Sequence, residues 1–279
     1  MKSSPLVSIV IPAKNSGAML ENCLKSIKSQ TYKNVEVIIV DAGSRDNTKI
    51  VAKRYKARLY NYYPRVPKGT FDAPYRRNFG IKKAKGKYVY YVDADMELTE
   101  NVVKEAVGMC ENGYSAIIVH EDSFGEGVWA SAKNLERRCI WGDDTQESPR
   151  FVNKEVWNKL GGLDELLGGG GDDWDFFQKL KDGSYKVGWV KSLVMHNEGK
   201  LSLYKLMKKR FMYGRDSVKY IKKRPSAAVV SYFPIRKCYI VNWKRFLVRP
   251  VDSFYFIIMR TCEYVAAFAG ILYSLFKTK

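Results

Sequence analysis

The chain has 279 residues, of which 48 are lysine or arginine, 29 are aspartate or glutamate and 46% are hydrophobic, for a formal charge of +19. This length suffices for one large α/β domain with an appendage, or for two small domains, and it can bury a core without disulfide staples. Disorder, a collagen-like fibre and a small secreted scaffold are therefore excluded.

The positive charge is concentrated at the end of the chain. Residues 1–199 hold 30 basic and 26 acidic side chains, whereas residues 200–279 hold 18 and 3. A basic appendage is attracted to phosphate, whether in nucleic acid, in anionic lipid or in a substrate. We predict a catalytic domain over 1–199 and a basic, helical, membrane-associating region over 200–279.

The cysteines indicate a reducing environment. There are five, an odd number, and they lack the spacing of metal ligands, so we expect them to be reduced and mostly buried. The first residues lead directly into a strand-like segment, and we expect no signal peptide.

Strand and helix patterns alternate along the first half of the chain. Short apolar, β-branched or aromatic runs predict buried parallel strands at 7–11, 35–40 and 88–92. Helical spacing and capping residues predict helices at 20–27, 44–55 and 99–113. This alternation indicates βαβ units and a mostly parallel sheet.

The pattern is less regular from residue 115 to residue 199. It predicts strands at 115–119 and 185–190 and short helices at 154–160 and 173–180. A flexible glycine loop is predicted at 168–171. No repeat or linker divides this part from the first, which is why 1–199 is treated as one domain.

The appendage contains two long apolar or amphipathic stretches. A helix is predicted from Leu201 to Lys223, with Pro225 ending it. The last stretch, 254–276, contains Arg260 and Glu263, and its longest uncharged piece has 13 residues. A spanning helix needs about 20.

Helical spacing divides this last stretch into two faces, one apolar and one that carries Arg260 and Glu263. An amphipathic helix with basic flanks lies in the membrane interface. We therefore expect interfacial contact through Trp243, Phe246, Phe254, Ile258, Phe268 and Leu272. A spanning hairpin, or a helix packed on the domain or at a dimer interface, is the alternative.

Two candidate binding segments follow predicted strands. The first strand ends at Pro12-Ala13-Lys14-Asn15, and ligands of an open parallel sheet bind beyond the carboxyl ends of its strands. The second strand delivers Asp41 to the same edge, where it suits hydrogen bonds from a base or ribose; an acidic helix N-terminus is the alternative. No GxGxxG follows the first strand, which argues against a nicotinamide or flavin enzyme.

A third segment, Asp93-Ala94-Asp95, closes the most hydrophobic strand. If strand geometry continued, both carboxylates would share one face, where they would repel each other without a cation. Hard oxygen ligands suit Mg²⁺ or Mn²⁺, which can also hold a substrate diphosphate.

The fourth segment, Gly171-Asp172-Asp173-Trp174, begins a predicted helix. Glycine-rich backbone before an acidic helix start can place Asp173 beside a substrate as a general base, with Trp174 available to stack on a sugar. His196 follows the next strand and is interpreted as a further metal ligand. Cap, surface and structural roles are the alternatives for these polar residues.

In combination the segments resemble the inverting glycosyltransferases of family 2, which share the GT-A fold, over about residues 6–202. The resemblance implies a Rossmann-like α/β fold: a mixed, mostly parallel sheet flanked by helices, here followed by amphipathic helices. Further similarity lies in Arg76-Arg77-Asn78-Phe79-Gly80 and in Gly161-Gly162-Leu163-Asp164-Glu165. Asp172 stands where the family usually has glutamate, which shortens one carboxylate.

The resemblance also implies roles for these residues. Donor binding falls to Pro12, Ala13, Lys14, Asn15, Asp41, Arg77, Asp93 and Ala94, metal binding to Asp93, Asp95 and His196, and acceptor binding to Gly171, Asp172 and Trp174. Asp173 becomes the base of an inverting hexose transfer from a nucleotide-diphosphate sugar with Mn²⁺ or Mg²⁺. GDP-mannose is slightly favoured over a UDP-hexose.

The basic appendage bears on the acceptor. It favours a lipid-linked or polyprenyl compound at the cytoplasmic face of the cell membrane. A polyprenyl phosphate is already anionic and needs no base, whereas a sugar hydroxyl does, so the intact Asp173 segment favours a hydroxyl of a lipid-linked saccharide. A polyprenyl (dolichyl) phosphate hexosyltransferase is the alternative.

Two other classes of protein fit the sequence less well. A basic nucleic-acid-binding protein would use Tyr239, Trp243 and Phe246 as stacking residues. This interpretation leaves the acidic residues Asp93, Asp95, Asp172 and Asp173 unexplained, and we expect no nucleic-acid partner. A sugar nucleotidyltransferase would carry a glycine-rich loop directly after the first strand, which this chain lacks.

Overall fold

A computed structural model describes residues 4–66 and 71–277 of the chain. The strands in these ranges are β1 (Val7–Ala13), β2 (Val35–Asp41), β3 (Arg58–Asn61), β4 (Tyr88–Tyr91), β5 (Met96–Leu98), β6 (Ala116–Glu126), β7 (Phe151–Asn153) and β8 (Val187–Lys200). The helices of the first two thirds are α1 (Gly17–Lys28), α2 (Thr48–Arg54), α3 (Ala73–Lys83), α4 (Val102–Glu111), α5 (Val128–Ile140), α6 (Lys154–Lys159) and α7 (Gly171–Asp182). Those of the last third are α8 (Leu203–Lys223), α9 (Pro225–Tyr232), α10 (Lys237–Val241), α11 (Trp243–Leu247) and α12 (Pro250–Lys277).

The strands form one sheet in the order β3-β2-β1-β4-β7-β6-β8-β5. Pairing is parallel from β3 through β4 and between β6 and β8. The short strand β7 runs antiparallel to both of its neighbours, and β5 runs antiparallel to β8. The predicted α/β fold with a mixed, mostly parallel sheet is confirmed.

Helices cover both faces of the sheet, which explains why all seven residues of β1 are buried. Ile9 and Ile11 pack into a core with residues of α1 and α4, including Leu20 and Val103. Val10, which points the other way, packs into a second core with residues of α3 and α7. Alternate side chains of a strand point to opposite faces, so a continuous apolar run marks a strand covered on both sides.

The structure differs from the sequence prediction mainly in strand length. The strand predicted at 115–119 continues to Glu126, and the one predicted at 185–190 continues to Lys200. Their paired outer halves are polar because residues such as Glu121 and His196 line a cavity and not the core. The strands β3, β5 and β7 were not predicted, since three or four residues are too few to show a period.

The last third of the chain packs on the first part through α5. Ala132 and Leu135 of α5 share a core with Leu206 of α8 and with Phe256 and Met259 of α12. The helix α8 ends at Lys223 as predicted, and Pro225 begins a new helix that the sequence did not predict. The division into domains at 199/200 stays a prediction.

The helix α12 is longer than the predicted apolar stretch and packs along α8 and α5. By length and composition it suffices to cross a membrane. Its charged face is the buried one: Arg260 lies 3.2 Å from Glu136, and Arg210 lies 3.2 Å from Glu263. The apolar face points outward, which reverses the usual arrangement of a helix on a water-soluble protein.

Most of the predicted membrane residues are exposed, on α12 or, for Trp243, on α11. Trp243, Phe254, Phe268 and Leu272 are exposed, whereas Ile258 is half-buried. Phe246 instead turns inward, where its ring lies 5.0 Å from that of Phe256. The helix is thus packed on the domain, one of the alternatives, and keeps an apolar face free.

Two glycines allow α8 and α12 to touch backbone to backbone. A Cβ atom at Gly214 would lie 2.0 Å from the carbonyl oxygen of Ala267, and one at Gly270 would lie 2.1 Å from that of Phe211. Contacts this short require the two helices to separate.

We expect Gly270→Ala to lower the free energy of unfolding by about 1–3 kcal/mol, the usual cost of overpacking a close contact. Gly108→Ala is the matched control, because Gly108 lies in α4 with open space around the position of a Cβ, and alanine there should be neutral or stabilise by up to about 1 kcal/mol. Urea unfolding of both variants measures the difference. Equal stability would mean that the helices do not cross at Gly270.

Candidate active site

A cavity of about 330 Å³ lies beyond the carboxyl end of β4, where several of the predicted site residues meet. Its wall includes Arg77, Asp93, Asp172, Asp173, Trp174 and His196, together with Glu121 and Arg150, which the sequence did not indicate. We call it the reactive cavity.

Arg77 of α3 holds three carboxylates together. Its Nη2 atom lies 2.8 Å from Asp93 Oδ1, and its Nη1 atom lies 3.3 Å from both Asp172 Oδ2 and Asp173 Oδ1. The guanidinium is buried and stacks 5.0 Å from the ring centre of Tyr91. A single cation thus offsets much of the repulsion within the acidic cluster.

Arg150 is a second cation in this cluster. The antiparallel pairing of β7 with β4 brings it to the end of β4, where the Tyr91 N–H donates to its carbonyl oxygen. Its guanidinium lies 3.3 Å from Asp93 Oδ2 and 3.4 Å from Asp173 Oδ2. Sequence patterns missed it, because finding it requires knowing that three residues form an antiparallel strand.

The pKa values of Asp93 and Asp172 are shifted in opposite directions. Burial would raise the pKa of Asp93, but the charges of Arg77 and Arg150 outweigh it and hold that pKa well below its usual range. Burial and the neighbouring Asp173 raise the pKa of Asp172 to about 7, although Arg77 opposes them. Near neutral pH Asp93 is therefore ionised, whereas Asp172 exchanges between its protonated and ionised forms.

The raised pKa of Asp172 makes the free energy of unfolding depend on pH. A carboxyl whose pKa is higher in the folded state stabilises the fold below its unfolded pKa, and this stabilisation is lost as the pH rises through the folded value. We therefore expect the wild type to lose stability relative to Asp172→Asn between pH 4 and pH 7. Urea unfolding of both proteins across this range tests the expectation, and parallel pH profiles would contradict it.

Asp93 and Asp95 do not share one face, because β4 ends at Tyr91 and both lie in the turn before β5. Asp93 faces the arginines, whereas Asp95 Oδ2 lies 3.3 Å from His196 Nε2. The pairing of β5 with β8 places His196 there, opposite Met96. The structure thus brings two of the three predicted metal ligands together.

Over residues 4–66 and 71–277, no three His, Cys, Asp or Glu side chains are gathered closely enough to hold a metal ion. Asp95 Oδ1, however, is buried and has no hydrogen-bond partner in that part of the chain. Burial would lower the pKa of His196, but hydrogen bonds with Asp95 and Glu121 help to raise it to about 9. Near neutral pH His196 is therefore protonated and would have to release a proton to bind a metal. The carboxylate oxygen of Asp95 without a partner is the feature here that fits a divalent cation.

The predicted nucleotide segments lie at the ends of β1 and β2. Pro12 and Ala13 are buried inside β1, whereas Lys14 and Asn15 are exposed beyond it. Asp41 is fully buried and accepts hydrogen bonds from the N–H groups of Gly43 and Ser44. Its carboxylate therefore shapes the turn after β2, and Lys49 lies 3.6 Å from it.

The predicted acceptor residues begin α7. Gly170, in a left-handed conformation, leads into the helix, and Asp172 and Asp173 occupy its first turn. Trp174 lines the reactive cavity, but its ring also packs 5.3 Å from that of Tyr232 in α9. The helices of the last third thus support the start of α7 at the cavity wall.

The family model for glycosyl transferase family 2 matches residues 8–163, more than half of the chain. The chain belongs to glycosyl transferase family 2. The matched region contains β1, the turn with Asp41, Arg77, the Asp93–Asp95 turn and Arg150, so both arginines of the acidic cluster and Asp93 fall within it. The α7 segment with Asp172 and Asp173 lies beyond it.

Curated relatives of this family 2 chain include glycosyltransferase GlyG of Streptococcus pneumoniae, 35% identical over 101 residues, which are 36% of this chain and 34% of that protein. Another is the GalNAc(5)-diNAcBac-PP-undecaprenol beta-1,3-glucosyltransferase of Campylobacter jejuni, 30% identical over 120 residues, 40% of this chain and 37% of that protein. The chain thus matches about a third of the length of these relatives.

Among solved structures, the mannosyltransferase PcManGT from Pyrobaculum calidifontis, in complex with GDP-Man and Mn²⁺, is similar with a TM-score of 0.67. The likeness covers 100% of this chain and 89% of that one at 15% identity. It extends over the C-terminal helices, so the fold of the whole chain has a counterpart.

Proposed function

We propose that this chain is a metal-dependent inverting glycosyltransferase that moves a hexose from a nucleotide-diphosphate sugar to a hydroxyl of a lipid-linked saccharide. The main supporting observation is the setting of Asp173. Its carboxylate lines the reactive cavity at the start of α7, accepts a hydrogen bond of 3.0 Å from Tyr91, and contacts both Arg77 and Arg150.

These contacts orient Asp173 to act as a general base. A sugar hydroxyl is a poor nucleophile near neutral pH, so Asp173 accepts its proton as the oxygen attacks the anomeric carbon of the donor. The bond to the nucleoside diphosphate breaks on the opposite face, and the leaving group takes the electron pair. Attack from the face opposite the leaving group inverts the anomeric centre.

The departing diphosphate needs compensation for its charge. Arg77 and Arg150 lie at the cavity wall and can shift part of their interaction from Asp93 to the phosphate oxygens. A divalent cation, which Asp95 and His196 would hold with Asp93 nearby, supplies further neutralisation of that charge. Lys14 and Asn15, exposed at the end of β1, lie where a nucleotide would contact the sheet edge.

For the donor we propose GDP-mannose ahead of a UDP-hexose. The structure of PcManGT contains GDP-Man and Mn²⁺, while that of TarS from S. aureus contains UDP-GlcNAc, with a lower TM-score of 0.52. Both nucleotides are compatible with the buried turn around Asp41.

For the acceptor we propose a lipid-linked saccharide, presented at the cytoplasmic face of the membrane. The Campylobacter relative is named for an undecaprenol-linked acceptor. In this chain the outward apolar face of α12, with Phe254, Ile257 and Phe268 each more than half exposed, offers a surface for lipid.

A polyprenyl phosphate is a second candidate acceptor, because both oxygens of Asp173 already contact arginines that would attract an anion. Such an acceptor needs no base. Substitution of Asp173, described in the Discussion, separates the two candidates.

Thermal unfolding with nucleotides tests the donor proposal. We expect GDP, UDP or one of their sugars to raise the melting temperature only in the presence of Mn²⁺, because the diphosphate and the cation bind together. Asp95→Asn is expected to remove the Mn²⁺-dependent part of the shift. Absence of a shift with every nucleotide, with and without metal, would contradict a nucleotide-sugar transferase.

A further inference from the structure

A second cavity of about 570 Å³ lies between α9, α10 and the turn after α5. One wall is formed by apolar side chains that are each more than half exposed: Val229, Val230, Phe233, Ile235 and Val241. We call it the apolar groove. Contiguous exposed apolar surface of this kind marks a binding site on a protein.

The apolar groove adjoins the reactive cavity. Arg236 lines both. The segment after α5 also runs from one to the other, since Trp141 to Thr145 line the groove and Gln146 to Ser148 line the reactive cavity. Arg236 therefore lies at the boundary between the two.

Arg236 is equipped to bind an anion at this junction. Its side chain is nine-tenths buried, and its Nη1 atom lies 3.3 Å from the Tyr239 hydroxyl and 3.8 Å from Glu136. Its Nε atom has no hydrogen-bond partner in the part of the chain that the structure describes. A buried donor left without a partner is costly, and a guanidinium recovers that cost best by binding phosphate or carboxylate.

The groove also contains two acidic residues. Asp144 is paired with Lys181 at 2.7 Å in the opposite wall. Asp143 is held in that wall by hydrogen bonds from Thr145 at 2.9 and 2.6 Å, which leave its negative charge in place. Lys237, next to Arg236, adds a second positive charge to the lining.

We propose that the apolar groove binds the polyprenyl chain of the acceptor and that Arg236 binds the phosphate to which this chain is attached. The assignment rests on the proposed function, because it takes the reactive end of the acceptor to lie in the reactive cavity. It adds the position of the lipid, which enters from the surface formed by α9 and α10.

The order of the apolar groove, Arg236 and the reactive cavity favours a polyprenyl-linked saccharide as the occupant. The groove requires an apolar segment, Arg236 requires an anionic group directly after it, and the reactive cavity requires a group that gives up a proton or carries a charge. A polyprenyl chain joined through phosphate to a saccharide offers these three features in that order. A helix of a partner protein or a second copy of this chain could bring a carboxylate to Arg236, but it would bring no saccharide hydroxyl to the reactive cavity.

The test uses farnesyl diphosphate as a short polyprenyl probe and inorganic diphosphate as a probe without a chain. Binding is measured by calorimetry on the full chain, with the donor site saturated by Mn²⁺ and the nucleoside diphosphate that the protein binds. The variants are Arg236→Gln, Val241→Glu in the groove, and Ile50→Glu in α2 as a control that lines neither cavity. Val241 and Ile50 are 67% and 62% exposed, so neither substitution disturbs the core.

We expect Val241→Glu to weaken farnesyl diphosphate binding about tenfold or more, a loss of about 1.4 kcal/mol, and to leave inorganic diphosphate unchanged. Arg236→Gln should weaken the binding of both probes to a similar degree, whereas Ile50→Glu should change neither. Equal affinity of Val241→Glu and Ile50→Glu for farnesyl diphosphate would overturn the assignment and leave the groove to a protein partner.

Transfer assays separate this assignment from the proposed function. If the wild type glycosylates a lipid-linked saccharide and Val241→Glu leaves the acceptor KM unchanged, the groove assignment fails and the function stands. If the probes respond as expected but no saccharide accepts a hexose, the groove stands and the proposed acceptor is wrong.

Discussion

Asp173→Asn is expected to lower the rate of transfer to a saccharide by a factor of about 10²–10⁴, the range attributed to a general base. Asparagine keeps the size of the side chain and can still accept a hydrogen bond from Tyr91, so the site should keep its shape. It cannot take the proton of the acceptor. The rate is measured with donor and acceptor both saturating, and donor binding is measured separately by calorimetry, where we expect less than a twofold change.

Asp182→Asn is the control for this experiment. Asp182 ends the same helix, its side chain is 57% exposed, and it pairs with Arg224 at the surface, so its loss should leave transfer intact. If Asp173→Asn retains nearly normal transfer, an acceptor that is already anionic becomes the better interpretation, or the base is another residue.

Arg77→Met is expected to lower the free energy of unfolding by about 3–5 kcal/mol, since removing one partner leaves buried charges without compensation. Asp172 and Asp173 would lose a contact at 3.3 Å, and Asp93 one at 2.8 Å. Methionine fills a similar volume, so the loss reports mainly on charge. Chemical unfolding at several pH values measures it.

The difference in free energy of unfolding between wild type and Arg77→Met is expected to depend on pH. The lowered pKa of Asp93 stabilises the wild type above the unfolded pKa of about 3.9, and this contribution is lost as the pH falls through the folded value. The gap between wild type and Arg77→Met should thus narrow as the pH falls from neutral towards 3. Arg54→Met, which breaks an exposed pair with Glu21, should cost no more than about 1 kcal/mol. A similar loss in both variants would mean that the buried cluster gains nothing from Arg77.

How well the sequence predicts a strand or a helix depends on the number of residues that carry its pattern. The strands β1 and β2 are seven residues long and mostly apolar. Their positions, and the sheet edge at which Asp41 and Lys14 lie, therefore follow from the pattern. The strand β7 has three residues, and its antiparallel pairing with β4 is a long-range event. Arg150 therefore enters the acidic cluster without any local sign in the sequence.

The same limit applies to α12. The sequence predicts two faces for it, but the choice of which face meets the protein depends on partners elsewhere in the chain. Glu136 on α5 and Arg210 on α8 provide those partners for Arg260 and Glu263, and the two close glycine contacts align the helices. Hydropathy alone favours burial of the opposite face.

Through Glu263, α12 also forms part of the reactive cavity. This residue lines the reactive cavity from the inner face of the same helix whose outer face is apolar and exposed. Removal of residues 250–277 would therefore take Glu263 from the wall of the reactive cavity as well as the apolar face from the surface. During synthesis, likewise, this part of the wall is added only after α12 has left the ribosome, so the growing chain has an incomplete cavity until then.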